Sequence, residues 1–172
     1  MYTLEDMVRE LREATATGQL AAIKEAVARA IAHPPLATDP SRPAILCDEP
    51  GLMVLHTAVD AGFKSPPHEH RTWAVIGVYQ GQEDNTFYRL ANEQRAIEEA
   101  GGRSLREGEV LTLGQEVIHK IANPRAEKLV ALHVYGVNIL TNERSAWDPM
   151  SGKEYPFGVK IGSDGKFANQ PR

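Results

Sequence analysis

Pro66-Pro67-His68-Glu69-His70-Arg71-Thr72-Trp73 is the stretch around which the chain is organised. In extended backbone, residues two apart point to the same face. A strand here therefore aims the imidazoles of His68 and His70 at one point. Imidazole nitrogen binds zinc, copper, iron and nickel. Two imidazoles on one strand need a third group from elsewhere. His119 is the candidate, in Gly108-x5-Gly114-x-Glu116-x2-His119-x3-Asn123, on a predicted strand. A rolled-up sheet would bring that distant strand alongside the first pair.

The surrounding sequence suits such a sheet. Residues 51–59 and Trp73 to Tyr79 read as strands, the second rich in aromatic and β-branched residues. Gly81-Gln82 and Glu83-Asp84-Asn85 predict a turn before a strand from Thr86 to Leu90. Ala96 to Ala100, Gly101-Gly102 and Arg103 to Leu105 predict a charged hairpin. Val110 to Leu113, Val117 to Ile121 and Lys128 to Val137 complete the set, and Ala44 to Cys47 adds a short strand. Short strands separated by Gly, Pro and Asn turns predict an all-β barrel or sandwich.

Upstream, Thr3 followed by Asp6 predicts a capped helix start. Leu4, Met7, Val8 and Leu11 follow at helical spacing, and Gly18 interrupts. Leu20, Ile23, Val27, Ala30 and Ile31 form a second amphipathic helix, ended by Pro34-Pro35. The apolar stripes of these helices suit packing on the main domain, with interaction modules as the alternative. The expected organisation is a helical segment over 1–35 packed on a barrel over 44–158, with a C-terminal tail over 159–172. The chain after Trp147, with turn signals at Asp148-Pro149 and Ser163-Asp164-Gly165, is expected to wrap the barrel without deep burial.

Composition excludes several classes. At 172 residues the chain fits one domain with a small appendage. A net charge of −4 without a basic block argues against nucleic acid as a partner. No run of 18 apolar residues suggests a membrane span. The single cysteine, Cys47, rules out an internal disulfide framework, fits a reducing compartment and reads as a small buried hydrophobe. The start of the chain lacks a signal-peptide pattern, so a cytoplasmic location is expected.

Gly62-x5-His68-x-His70 followed by Gly81, with Gly108 to Asn123, resembles the two motifs of the cupin superfamily. That resemblance implies a double-stranded β-helix, the jelly-roll barrel. Gly114 and Glu116 replace the usual proline and second glycine of the second motif. The usual glutamate ligand of the first motif is replaced by Ala74. The resemblance thus implies a site of three histidines, His68, His70 and His119.

A narrower resemblance rests on three segments. They are residues 66–73, Val117-Ile118-His119-Lys120-Ile121-Ala122-Asn123 and Leu132-His133-Val134-Tyr135-Gly136. Together these look like the thiol dioxygenases, the cysteine dioxygenase family. The implied relay beside the iron is His133 and Tyr135, with Ala131 in place of the usual serine. In the cysteine-acting branch the substrate arginine lies on an early strand, where this chain has Ala44, with Arg42 two residues off. In the 3-mercaptopropionate-acting branch it follows the tyrosine, where this chain has Arg144. The cysteine–tyrosine crosslink is not implied, since its cysteine position corresponds to Ala74.

The resemblance implies a non-haem iron(II) dioxygenase that takes dioxygen and a small thiol carboxylate to the sulfinic acid. Three neutral imidazoles leave iron(II) its full charge and so favour a thiolate. Arg144 would clamp the carboxylate. Two alternatives stay open: a three-histidine cupin with another reaction, of the β-diketone-cleaving type, and a metal- or small-molecule-binding cupin without turnover.

Overall fold

The structure, a computed structural model, describes residues 1–93, 95–161 and 167–171. Two helices lead, α1 (Leu4–Ala16) and α2 (Leu20–Ile31). Thr3 caps α1 in a reciprocal capping box with Asp6, as the sequence predicts. Gly18, at φ +67°, turns the chain between the helices.

The rest is strand. In chain order these are β1 (Ala44–Glu49), β2 (Leu52–Val59), β3 (His68–Glu69), β4 (Ala74–Gln80), β5 (Gln82–Leu90) and β6 (Ile97–Arg106). They continue with β7 (Val110–Leu113), β8 (Ile118–Ala122), β9 (Leu129–Tyr135), β10 (Ser145–Trp147), β11 (Glu154–Ile161) and β12 (Phe167–Pro171). One sheet has the order β1-β2-β9-β4-β7, and the other β12-β11-β10-β3-β8-β5-β6. From β2 to β10 the chain crosses repeatedly between the two antiparallel sheets. This is the double-stranded β-helix.

The strands β2, β4 and β9 are buried along almost their whole length because their sheet is covered on both faces. Leu52, Val54, Val75, Val130, Leu132 and Val134 face outward against Met7, Leu11, Ile23, Val27 and Ile31 of the helices. Each such fully buried aliphatic side chain contributes about 1.5–3 kcal/mol. Their neighbours Met53, Leu55, Ala74, Ile76, Ala131 and Tyr135 face inward. The same alternation turns His133 and Tyr135 into the barrel.

Four local expectations are corrected. The predicted turn at 81–85 is confined to Gly81, and β5 starts at Gln82. Gly81, at φ +81°, lies so close to Lys128 O that only glycine fits comfortably. Gly101-Gly102 is not a hairpin tip but lies within β6, paired with Phe87 and Thr86 beside a bulge at Ala100, so residues 96–105 do not form a hairpin of their own. The tail beyond Trp147 is buried in part: β11 pairs with β10, and Phe157 is only 1% exposed. The turn signal at 163–165 lies outside the described residues. Cys47 is half-buried and its thiol donates to Glu49, rather than being a plain apolar filler.

Candidate metal centre

Pro66 and Pro67 fix an extended approach to β3. That strand is short, and His70 lies just past its end. Arg71 then takes φ +55°, unusual for a side-chain-bearing residue. Its guanidinium is held by Glu69 at 2.6 Å and by the Ser145 hydroxyl at 3.2 Å. On β8, His119 stands directly opposite His68. The three imidazoles converge, with candidate ligand atoms all within 4.8 Å of one another.

Hydrogen bonds at the rim of the cluster fix the imidazoles of His68 and His119. A carbonyl only accepts, so His68 Nδ1–H donates to Pro66 O at 2.9 Å and its Nε2 is left as a lone-pair donor. His119 Nδ1 lies 2.8 Å from Asn85 Oδ1, which orients its Nε2 the same way. Asn142 Nδ2 holds the backbone carbonyl of His70.

These residues fit a metal ion. The Nε2 atoms of His68 and His70 are 3.2 Å apart. Two ligands at right angles with bonds of about 2.1 Å would be roughly 3.0 Å apart. The Nε2 of His119 is buried without a protein partner. Burial, with Arg144 nearby, pushes His68 down to about 3. Burial, then the neighbouring imidazoles, hold His70 and His119 well below the ordinary histidine value. All three are therefore neutral, as ligation requires. Among the described residues no carboxylate joins the cluster. At the position of the usual glutamate, Ala74 pairs with Tyr135.

The centre opens on a cavity of about 70 Å³. That is far below the roughly 300–1,000 Å³ of drug-sized ligand sites, so it suits a molecule of a few heavy atoms. Its polar wall includes His68, His70, Glu83, His133, Tyr135 and Arg144, and its apolar wall Leu55, Phe63, Ile139 and Phe157. Arg144 is 4% exposed. Its Nε donates to Ile139 O at 3.2 Å, and its guanidinium lies 4.5 Å from the Phe157 ring centroid. Arg42 instead lines a separate surface groove with Leu4 and Leu36, and Ala44 sits on the edge strand β1.

His133 and Tyr135 lie on the opposite sheet. His133 Nδ1 is 3.0 Å from Tyr135 Oη, and the Tyr135 ring packs edge-on against His70 with centroids 5.1 Å apart. Burial pushes the Tyr135 hydroxyl well above the ordinary tyrosine value, so it is protonated. Trp73 packs against the helix-side core rather than lining the cavity. Asn123 is a buried tie, its amide donating to Val59 O, Asp60 O and Glu127 O.

Two site residues are missed by the sequence reading. Glu83 is fully buried, accepts at 3.0 Å from His133 Nε2 and accepts also from Asn85 Nδ2. Asn85 in turn holds His119. The available signal is their spacing of two after Gly81, which puts both on the inward face of β5.

No protein-family model matches the chain. Among solved structures it is similar to an RmlC-like cupin family protein with a double-stranded β-helix fold from Methanocaldococcus jannaschii. That likeness is 15% identical over 61% of this chain and 89% of the other, with a TM-score of 0.48. A cupin superfamily protein from Desulfitobacterium hafniense is 17% identical over 56% of this chain and 76% of the other, with a TM-score of 0.44. An oxalate oxidase is 15% identical over 58% of this chain, which spans only 53% of that protein, with a TM-score of 0.44. Cupin superfamily proteins are thus among the structural neighbours, and none of them speaks to the reaction of this chain.

Proposed function

We propose that this protein is a non-haem iron(II) dioxygenase that converts a small thiol carboxylate and dioxygen to the sulfinic acid, with 3-mercaptopropionate preferred over cysteine. One observation carries the reading: a carboxylate-free cluster of three neutral imidazoles shares a very small cavity with a buried arginine and a His–Tyr pair. His68, His70 and His119 would hold the iron. Bound there, iron(II) supplies the Lewis acidity and the redox chemistry with dioxygen that no side chain has.

The chain's own groups do the rest. Three uncharged imidazoles beside Arg144 favour an anionic ligand. Arg144 binds the carboxylate, and its contacts to Ile139 O and Phe157 orient the guanidinium. Leu55, Phe63, Ile139 and Phe157 exclude water around the sulfur. Tyr135, held by His133, hydrogen-bonds the reacting sulfur end. The sulfur loses four electrons, dioxygen gains four, and both oxygen atoms end on sulfur.

Preference for 3-mercaptopropionate over cysteine is supported by the cavity wall, which among the described residues holds no uncommitted carboxylate to pair with an α-ammonium. The acidic residue of the cavity wall, Glu83, is engaged by His133 and Asn85. The test is oxygen uptake by the iron-loaded protein over a panel of thiols. Thiols that carry a carboxylate should be consumed and cysteamine should not. Arg144→Ala should raise KM for 3-mercaptopropionate by about 10–100-fold, the worth of a charge-assisted pair. An unchanged KM would refute the substrate assignment.

A further inference from the structure

The relay of the thiol dioxygenase pattern has serine two residues before the histidine, and here that residue is Ala131. The partner of His133 Nε2 instead comes from another strand: Glu83 on β5, 0% exposed, with Oε2 at 3.0 Å. We infer that Glu83 is a positioning residue that fixes His133 in the Nε2–H tautomer and makes Glu83–His133–Tyr135 a proton relay serving the cavity. This rests on the thiol reading above for its substrate, but not for its geometry.

The direction of each bond follows from the groups. A carboxylate only accepts, so the His133 Nε2–H donates to Glu83. That leaves the His133 Nδ1 lone pair to accept from the Tyr135 hydroxyl at 3.0 Å. The Tyr135 oxygen then offers an acceptor to the cavity. A thiol entering there passes its proton to Tyr135 Oη as the tyrosine proton moves to His133 Nδ1. The S–H bond and the original Tyr135 O–H bond break, a new O–H bond forms on Tyr135 and an N–H bond forms on His133. The product is a thiolate facing a neutral tyrosine, with an imidazolium paired to the Glu83 carboxylate. The reoriented Tyr135 O–H now points at the sulfur, and His133 Nδ1–H donates to Tyr135 Oη.

The surroundings suit this. Besides Glu83 and Tyr135, the charged or titratable groups around His133 are His68, His70, His119 and Arg144. Among these groups the only one that compensates a new positive charge is Glu83. Burial pushes the Glu83 carboxyl up, but the facing His133 and the hydrogen bonds from His133 and Asn85 outweigh it and hold the group ionised.

Glu83→Gln tests the device. Asn85 Nδ2 donates to Oε1, so a glutamine there keeps its oxygen toward Asn85 and turns its NH2 toward His133. Histidine must then accept at Nε2 and carry its proton on Nδ1, which reverses the relay. In full-length protein loaded with diamagnetic zinc, imidazole nitrogen NMR should report the Nε2–H tautomer for His133. Its signals are assigned by their loss in His133→Gln. Glu83→Gln should switch them to Nδ1–H. In the iron-loaded protein it should lower kcat/KM for 3-mercaptopropionate by about 100-fold with iron content unchanged. An Nδ1–H tautomer in the unsubstituted protein overturns the inference even if the variant does not fold. So does an unswitched tautomer in Glu83→Gln. Absence of thiol turnover in the unsubstituted protein would instead remove the substrate and leave the tautomer result to decide the positioning role.

Discussion

His68 and His119 face each other across the β3–β8 ladder, with ring centroids 4.8 Å apart. A direct cross-strand pairing sets their spacing by backbone geometry rather than by side-chain choice. His70, just past the end of β3, closes the cluster from the same segment. Removing His119 therefore leaves two ligands from one stretch, too few to retain an ion against exchange. His119→Ala should lower bound iron from near one per chain to near zero by elemental analysis. Full iron occupancy in that variant would place the metal elsewhere.

Asn85 acts on the same histidine from behind. Its Oδ1 accepts the Nδ1–H of His119 at 2.8 Å. Asn85→Leu keeps the volume but leaves that buried N–H unpaired and the ring free to turn. Metal affinity should fall by about 10–100-fold in a chelator competition. Asn85→Asp, which keeps an acceptor, should lose less. Equal affinity in the leucine variant would mean that ring orientation is set by packing alone.

The neutral imidazoles give the metal-free protein an acid-sensitive stability. His68, His70 and His119 have folded values below the unfolded 6.5. Below 6.5 the unfolded chain takes up protons that the folded chain refuses. Stability is thus intact above 6.5 and falls as pH drops toward the folded values. At pH 5 the loss is about 2 kcal/mol for each histidine held neutral. Urea midpoints of the metal-free protein should drop steadily from pH 7 to 5. A flat profile would show that the three rings protonate without cost.

Gly136 marks the tightest glycine packing beside Tyr135. A Cβ there would lie 2.5 Å from Trp73 Nε1 and 2.6 Å from Thr72 Oγ1. Gly136→Ala should cost about 1–3 kcal/mol by overpacking. At Gly114 nothing lies within 4 Å, so Gly114→Ala should be far milder. Similar urea midpoints for the two variants would contradict this reading of the backbone approach.

Much of this was legible in the residues. Helical spacing gives α1 and α2, and the Thr3 capping box fixes the start of α1. The period-two pattern of His68 and His70 and the later His119 point to one cluster, because strands alternate their faces. Glu83 and Asn85 were not legible as site residues. Glu-Asp-Asn after a glycine has turn composition, and only the pairing of β5 with β8 shows two of the three turned inward. An inward polar pair breaks the apolar alternation that marks a strand, and such breaks gather at sites. The burial of Phe157 was hidden for a similar reason: its ring packs on His68 and Arg144, partners that no local pattern announces.

Product analysis under isotopically labelled dioxygen tests the dioxygenase reaction itself. Iron-loaded protein is given 3-mercaptopropionate and ¹⁸O₂, and the product is weighed by mass spectrometry. The product should be the sulfinic acid with both oxygen atoms labelled, formed in step with oxygen consumed. Disulfide or unlabelled product from protein that carries its full iron would contradict it.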